Sequence, residues 1–298
     1  MSERKYRLQR GETAPEGVTR IALGRIDDAL DELGGRTGSS PEVAVHSARK
    51  GMKKLRALLR LVRGEIGDEV YRREAATFRD AGRELSGVRD ADVMIATLGS
   101  LELPANEVGA LRQALEAHKI RTAGGGRRQA ATGAVEILSA ARPRVAEWPL
   151  ATDGFEAFEG GLRRIYRQGR RNMRAARKDP TAENLHEWRK RAKDLWYHLL
   201  LLEEAWPPVM TSLADEAHEL ADRLGDDHDL AVLLEWAKEH GSAAPIEAEV
   251  ERRRSRLQAE AFAYGERLYA DKPGAFVRRV GRWWEASART APAETAHH

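Results

Sequence analysis

The chain has 298 residues, 42% apolar and 33% charged, with 50 Lys and Arg against 47 Asp and Glu for a formal charge of +3. Two average domains, or one domain made from a duplicated unit, fit that length, and the scarcity of β-branched or aromatic runs of strand length points to an all-α protein. The absence of cysteine excludes disulfides, thiol nucleophiles and Cys-type zinc sites; with no apolar signal region in the first twenty residues and no apolar run of about 18, a soluble cytoplasmic protein is expected.

The first predicted helix covers about residues 15–33, with Val18, Ile21, Ala22, Ile26, Leu30 and Leu33 at helical spacing, and Gly34-Gly35 closes it. Ser40 as N-cap and Pro41 at the first helical position start a second helix that runs to about Gly64. In it His46 is followed by cations three, four and seven residues on, Arg49, Lys50 and Lys53, which puts all four on one face. Met52, Leu55, Leu59 and Val62 fall on the other face, so the helix can bury one side and present a cationic stripe. From His46 to Arg63 there are seven cations, Lys54, Arg56 and Arg60 among them, and no acid. An exposed helix without a partner mixes signs, so this run asks for an anion.

A third helix is predicted from near Asp68 to Leu85, leading into a segment with Asp90 and Asp92. Residues 104–141 predict a long helix interrupted at Gly124-Gly125-Gly126, and Pro143 and Pro149 flank the expected join between halves. The second half opens with a helix over about 155–178 in which residues 163–178 hold eight cations and no acid. Next comes a second histidine helix, capped by Asp179 or Thr181 and stopped by Pro207-Pro208. Here His186 is followed by Arg189, Lys190 and Lys193 at the same three, four and seven, with Trp188, Ala192, Leu195, Leu199 and Leu202 opposite. A further helix is expected to end at Leu224-Gly225-Asp226-Asp227-His228-Asp229, the counterpart of the Asp90 segment. Pro245 and Pro273 precede two more helices, and 291–298 reads as a flexible tail. His46 and His186 are 140 residues apart and Asp90 and Asp227 are 137 apart, so a duplicated unit keeps register to within three residues; four helices per half pack as a four-helix bundle.

These paired His-x-x-Arg/Lys helices, the Arg89-Asp90-x-Asp92-Val93 segment and its counterpart Asp227-His228-Asp229-Leu230 resemble the CHAD family, the conserved-histidine α-helical domain. The likeness covers roughly residues 8–290, in halves 8–145 and 150–290, as a stand-alone member. It implies two four-helix bundles related by a pseudo-twofold axis, with a basic central groove or pore that binds inorganic polyphosphate, and an association with polyphosphate granules. Carried over by position, it implicates His46, Arg49, Lys53, Lys54 and Arg56, then His186, Arg189, Lys190 and Lys193, together with Tyr166, Arg167, Arg170, Arg171 and Arg174 of the preceding helix; Lys50 and Arg60 of the first stripe complete the candidate ligand set. Asp194 and Trp196 stand where the first copy has Lys54 and Arg56, so the halves are not expected to contribute equally.

A polyanion binder needs repeated cations on rigid elements, Arg through paired donors and Lys as a point charge. His46 and His186 are candidate phosphate donors; the surrounding cations lower a histidine's pKa and repel a divalent metal, so no metal, cofactor or catalytic residue is expected. Asp90, Asp92, Asp226, Asp227, His228 and Asp229 leave a metal-dependent phosphohydrolase of polyphosphate or nucleotides as one alternative, against a duller role in helix capping and ion pairing. Nucleic-acid binding is the other, without a helix-turn-helix, zinc-finger or RNA-binding signature to support it.

Overall fold

A computed structural model describes residues 6–85, 90–123 and 126–289, and these form eleven α-helices and no strand. Helix α1 (Ala14–Leu33) opens with a capping box in which Thr13 and Glu16 satisfy each other's backbone N–H groups. Helix α2 (Pro41–Leu61) is capped by Ser40, whose hydroxyl accepts from the Val43 amide. Helix α3 (Arg63–Glu84) is bent at Gly67, whose φ of 75° lies in the left-handed region that only glycine enters freely. Helices α4 (Asp90–Gly99), α5 (Ala105–Ala123) and α6 (Gly126–Val145) complete the first half; Gly124 and Gly125, where a break was expected, lie outside the described residues.

In the second half, α7 (Glu156–Lys178) is followed by α8 (Ala182–Leu201), for which Thr181, and not Asp179, is the N-cap, accepting from Asn184 N–H at 3.2 Å. A 3-10 turn over Glu203–Ala205 leads into α9 (Pro207–Glu239), and α10 (Glu247–Leu268) and α11 (Pro273–Arg289) follow. Helix α9 corrects the sequence reading. It continues for 33 residues through Gly225 and Asp226 instead of ending there, because α8 and α10 both pack along it and that burial outweighs the roughly 1 kcal/mol a helical glycine forfeits.

Helices α1, α2, α3 and α6 close one group of four, each packed on two others, and α7, α8, α9 and α10 close another. The two groups share one core, which runs from Val18, Ile21 and Leu58 through Phe158 and Leu162 to Trp188, Leu195 and Leu220. Helix α7 crosses the end of α2 at Gly161, where a Cβ would stand 1.8 Å from the Leu61 carbonyl oxygen, so the crossing requires glycine. The N-terminal segment lies across the join: Tyr6 donates to the Lys54 carbonyl at 2.8 Å and the Leu8 amide to the Leu201 carbonyl at 3.1 Å. A second, smaller core gathers Met94, Leu98 and Leu115 of α4 and α5 against Leu230, Leu233 and Leu234 of α9, so this hairpin from the first half is seated on a helix of the second.

Candidate functional site

Helices α2 and α8 pack side by side, which brings the two histidine helices together. Their apolar faces are buried as the spacing predicts, Met52, Leu55, Leu59 and Val62 on one and Trp188, Ala192, Leu195, Leu199 and Leu202 on the other. Between the stripes lies a cavity of about 370 Å³. Lys53, Arg56 and Arg60 line it from α2, and His186, Arg189, Lys190, Arg191 and Lys193 from α8, with Glu187, Asp194 and Tyr197. Seven Lys and Arg side chains therefore face two acids across a space large enough for several anionic groups.

The two acids are placed to hold cations rather than to cancel the field. Asp194, only 6% exposed, accepts a hydrogen bond from Arg60 at 3.1 Å and forms an ion pair with Arg191 at 3.0 Å, tying one guanidinium from each helix. Glu187 pairs with Lys190 at 2.5 Å, and that hydrogen bond holds its carboxyl below the usual range. Arg56 has its pKa lowered by burial and by the neighbouring guanidinium groups of Arg60 and Arg79, a crowding that a bound anion would relieve.

His186 stands at one end of the cavity with its ring 4.4 Å from that of His228, which α9 contributes. Burial first, then His228, Lys190 and Arg189, push His186 down to about 4, and burial and Arg189 lower His228 as well. Both imidazoles are therefore neutral at pH 7, and the Nδ1 of His186 is buried without a hydrogen-bond partner in the protein. The cations the sequence identified do lower this histidine, but burial is the larger cause. A second histidine, His198, is fully buried on the opposite side of α8, and its Nε2 lies 2.9 Å from the Ala57 carbonyl. Since that partner can only accept, Nε2 carries the proton and links α8 to α2 without charge.

Several candidate residues sit elsewhere. Lys54 is 1% exposed with its Nζ 4.9 Å from the Tyr6 ring centre, so it is not part of the stripe; one step round the helix from Lys53, its position is covered by the N-terminal segment. Tyr166 is buried too, its hydroxyl donating to the Leu268 carbonyl at 3.0 Å and its ring stacked on Phe276 at 4.3 Å; burial pushes its phenol up to about 12. Arg167, Arg171 and Arg174 are exposed and Arg170 half-buried, and none of them lines this cavity. The side of α7 turned to α2 and α8 instead carries Arg164, which donates to the Arg60 carbonyl at 3.5 Å, Gln168, which accepts from Arg191, and Asn172, which donates to the Glu187 carbonyl. His46 is exposed and Lys50 half-buried outside the cavity, while Arg49 donates to the Leu85 carbonyl at 3.0 Å.

The acidic segments divide. Asp92 pairs with Lys119, and Asp227, 1% exposed, accepts from Arg254 at 3.1 Å and Gln258 at 2.8 Å across the α9–α10 contact. Asp227 caps nothing, since α9 runs past it. Asp226 has its carboxyl pushed up by burial and by Asp222 and Asp229. Among the described residues no group of three or more His, Cys, Asp or Glu is placed to hold a metal ion; the Asp90 side chain and Arg89 lie outside those residues. Sequence reasoning passed over Arg191 as a lining residue, and Gln168 and His228 as neighbours of Arg191 and His186, since each needs the packing of α7, α8 and α9 to be seen.

The chain is all-α, with a cation-lined groove between two histidine helices, and the comparisons bear on its family and fold. The sequence profile of the CHAD domain matches residues 20–238, and the chain belongs to the CHAD family. In fold it is similar to the crystal structure of the CHAD domain from the plant Ricinus communis, with a TM-score of 0.57 at 18% identity over 92% of this chain and 94% of that one. No curated protein matches the sequence. No helix among the described residues is long and apolar enough to cross a membrane.

Proposed function

We propose that this chain binds inorganic polyphosphate in the groove between α2 and α8, by electrostatic capture and without catalysis of its own. The observation that supports the reading is the meeting of Lys53, Arg56 and Arg60 of one histidine helix with Arg189, Lys190, Arg191 and Lys193 of the other on one cavity with two acids. Polyphosphate presents about one charge per phosphate on a flexible chain, which suits cations repeated along two rigid helices. Guanidinium groups would take paired phosphate oxygens and the lysines would act as point charges. Recruitment to polyphosphate granules is the cellular role that follows from such binding.

Isothermal titration with long-chain polyphosphate at low and moderate salt tests it. Tight binding that weakens steeply with salt is expected, since each neutralised phosphate releases counterions. No heat, and no competition by any polyanion, would overturn it. Long polyphosphate should displace DNA at equal phosphate concentration and not the reverse, and phosphate release with a divalent metal present would instead favour a hydrolase.

A further inference from the structure

A separate cavity, of about 390 Å³, opens at the corner where α1 gives way to α2, and its chemistry is the reverse of the groove's. Leu33 at the end of α1, Pro41 and Val45 at the start of α2 and Ala131 of α6 give it an apolar wall. Leu33 and Val45 pack on the main core with one side and are only partly buried, so the other side is left to the cavity. Among the described residues the charged side chains that line it, Glu32 and Glu42, are both acids. Glu32 lies in the last turn of α1, which holds no Lys or Arg, and its carboxylate accepts from the Thr37 hydroxyl at 2.8 Å. The carbonyl pole of a helix carries about half a negative charge, so a carboxylate there is unfavourable until a cation is brought to it. Gly35 and Pro41 at the edge are exposed, which makes the cavity an open cleft. Such a cleft suits side chains projected from a backbone that stays outside, whereas a small-molecule site buries most of its ligand.

We propose that this cleft docks a segment of a partner protein that presents large apolar side chains next to a Lys or Arg, the apolar groups against Leu33, Val45 and Ala131 and the cation at Glu32. The inference goes beyond the polyphosphate reading and does not rest on it. Val45 and Lys53 are eight residues apart on α2, about 12 Å along the helix, so a segment docked here leaves the groove open. One helix then joins a protein at its start to whatever polyanion the groove holds.

The test selects a displayed library of random peptides on the full chain, at moderate salt and without polyphosphate, and titrates the enriched peptides. Peptides that pair leucine, phenylalanine or methionine with lysine or arginine are expected. Their affinity should fall at least about tenfold in Glu32→Lys and in Ala131→Trp, which fills the cleft. Glu32→Lys puts a cation at the carbonyl pole of α1, so its melting temperature should not fall and lost binding cannot come from unfolding. Lys190→Gln with Lys193→Gln, in the groove, and Glu239→Lys, at the end of α9, should leave peptide affinity unchanged. Enrichment of acidic peptides alone, weakened by the groove pair, would overturn the docking site and move recognition to the groove. Peptides that bind both cleft variants as well as the unaltered protein, equal weakening by Glu239→Lys, or no enrichment at all would overturn it too. Self-association in sedimentation that Glu32→Lys dissolves would make the occupant a second copy and overturn the choice of a partner protein.

Discussion

Asp194→Asn should move stability and affinity in opposite directions. The carboxylate is buried between Arg60 and Arg191, whose side chains are themselves only 18% and 16% exposed. Removing one charge from a buried ionic cluster costs about 3–5 kcal/mol. The lower end applies here, because the amide oxygen can still accept one hydrogen bond and the guanidinium groups keep some solvent. For a chain of this size about 2–4 °C is lost per kcal/mol, so ligand-free melting followed by circular dichroism should drop by about 6–12 °C. The groove meanwhile loses one of its two acids while keeping all seven cations. A charge some 8 Å from a bound phosphate at an effective dielectric near 20 is worth about 2 kcal/mol, and screening reduces this to about 1. Long-chain polyphosphate should therefore bind roughly fivefold more tightly at low salt. Weaker binding by the variant would refute the reasoning, because Asp194 would then act by positioning Arg60 and Arg191 and not by subtracting charge.

His186 titrates near 4 in the free protein, and a phosphate beside it would raise that value, so binding should take up protons. Affinity should rise from pH 8 to pH 5 in the unaltered protein and less so in His186→Gln, with proton uptake read from titration heats in two buffers of different ionisation enthalpy. His198 is also depressed to about 4 from an ordinary 6.5, so the unfolded chain binds more protons between those values. Its contribution is complete above about pH 6.5 and is lost as the pH falls towards 4; His198→Gln should flatten the fall in melting temperature across that window relative to the unaltered protein. Gly161→Ala drives a methyl into the Leu61 carbonyl and should destabilise by about 3 kcal/mol or more, whereas Gly160→Ala meets open space and should be neutral or stabilising by up to about 1 kcal/mol. Equal melting temperatures for the two variants would contradict the close crossing of α2 and α7.

Helical spacing was enough to find the two stripes, their buried faces and the caps at Ser40 and Thr181, because each depends on residues within a turn or two of one another. What covers a face is a tertiary fact, and there the sequence ran out. Lys54 differs from Lys53 by one step round α2, but that step carries it beneath Tyr6. Arg163, Arg167, Arg170, Arg174 and Arg177 recur three and four residues apart along one face of α7, but the packing of Gly161 and Gln168 turns that face away from the groove. Arg79 and Arg83 carried no local signal, since they lie among acids in a mixed helix and join a cationic surface only once α3 is laid against α2. Gly225 reads as a helix end from its own chemistry and is helical because helices pack along both sides of α9.

Two polar junctions in this chain balance their charges differently. Between α9 and α10 the buried Asp227 accepts from both Arg254 and Gln258, so the opposing charges there satisfy one another. Between α2 and α8 the cations outnumber the acids, and electrostatics alone would drive the helices apart. They are held by the Arg60–Asp194 ion pair together with groups that carry no charge, the neutral His198 on the Ala57 carbonyl and the continuous apolar core behind both helices. Apart from Arg60 and Arg191, which Asp194 holds, the groove cations are therefore carried by backbones that do not depend on them. On the polyphosphate reading proposed above, the repulsion among them is carried by the folded state and would be released on entry of the polyanion, so the arrangement that burdens the fold would also supply binding energy.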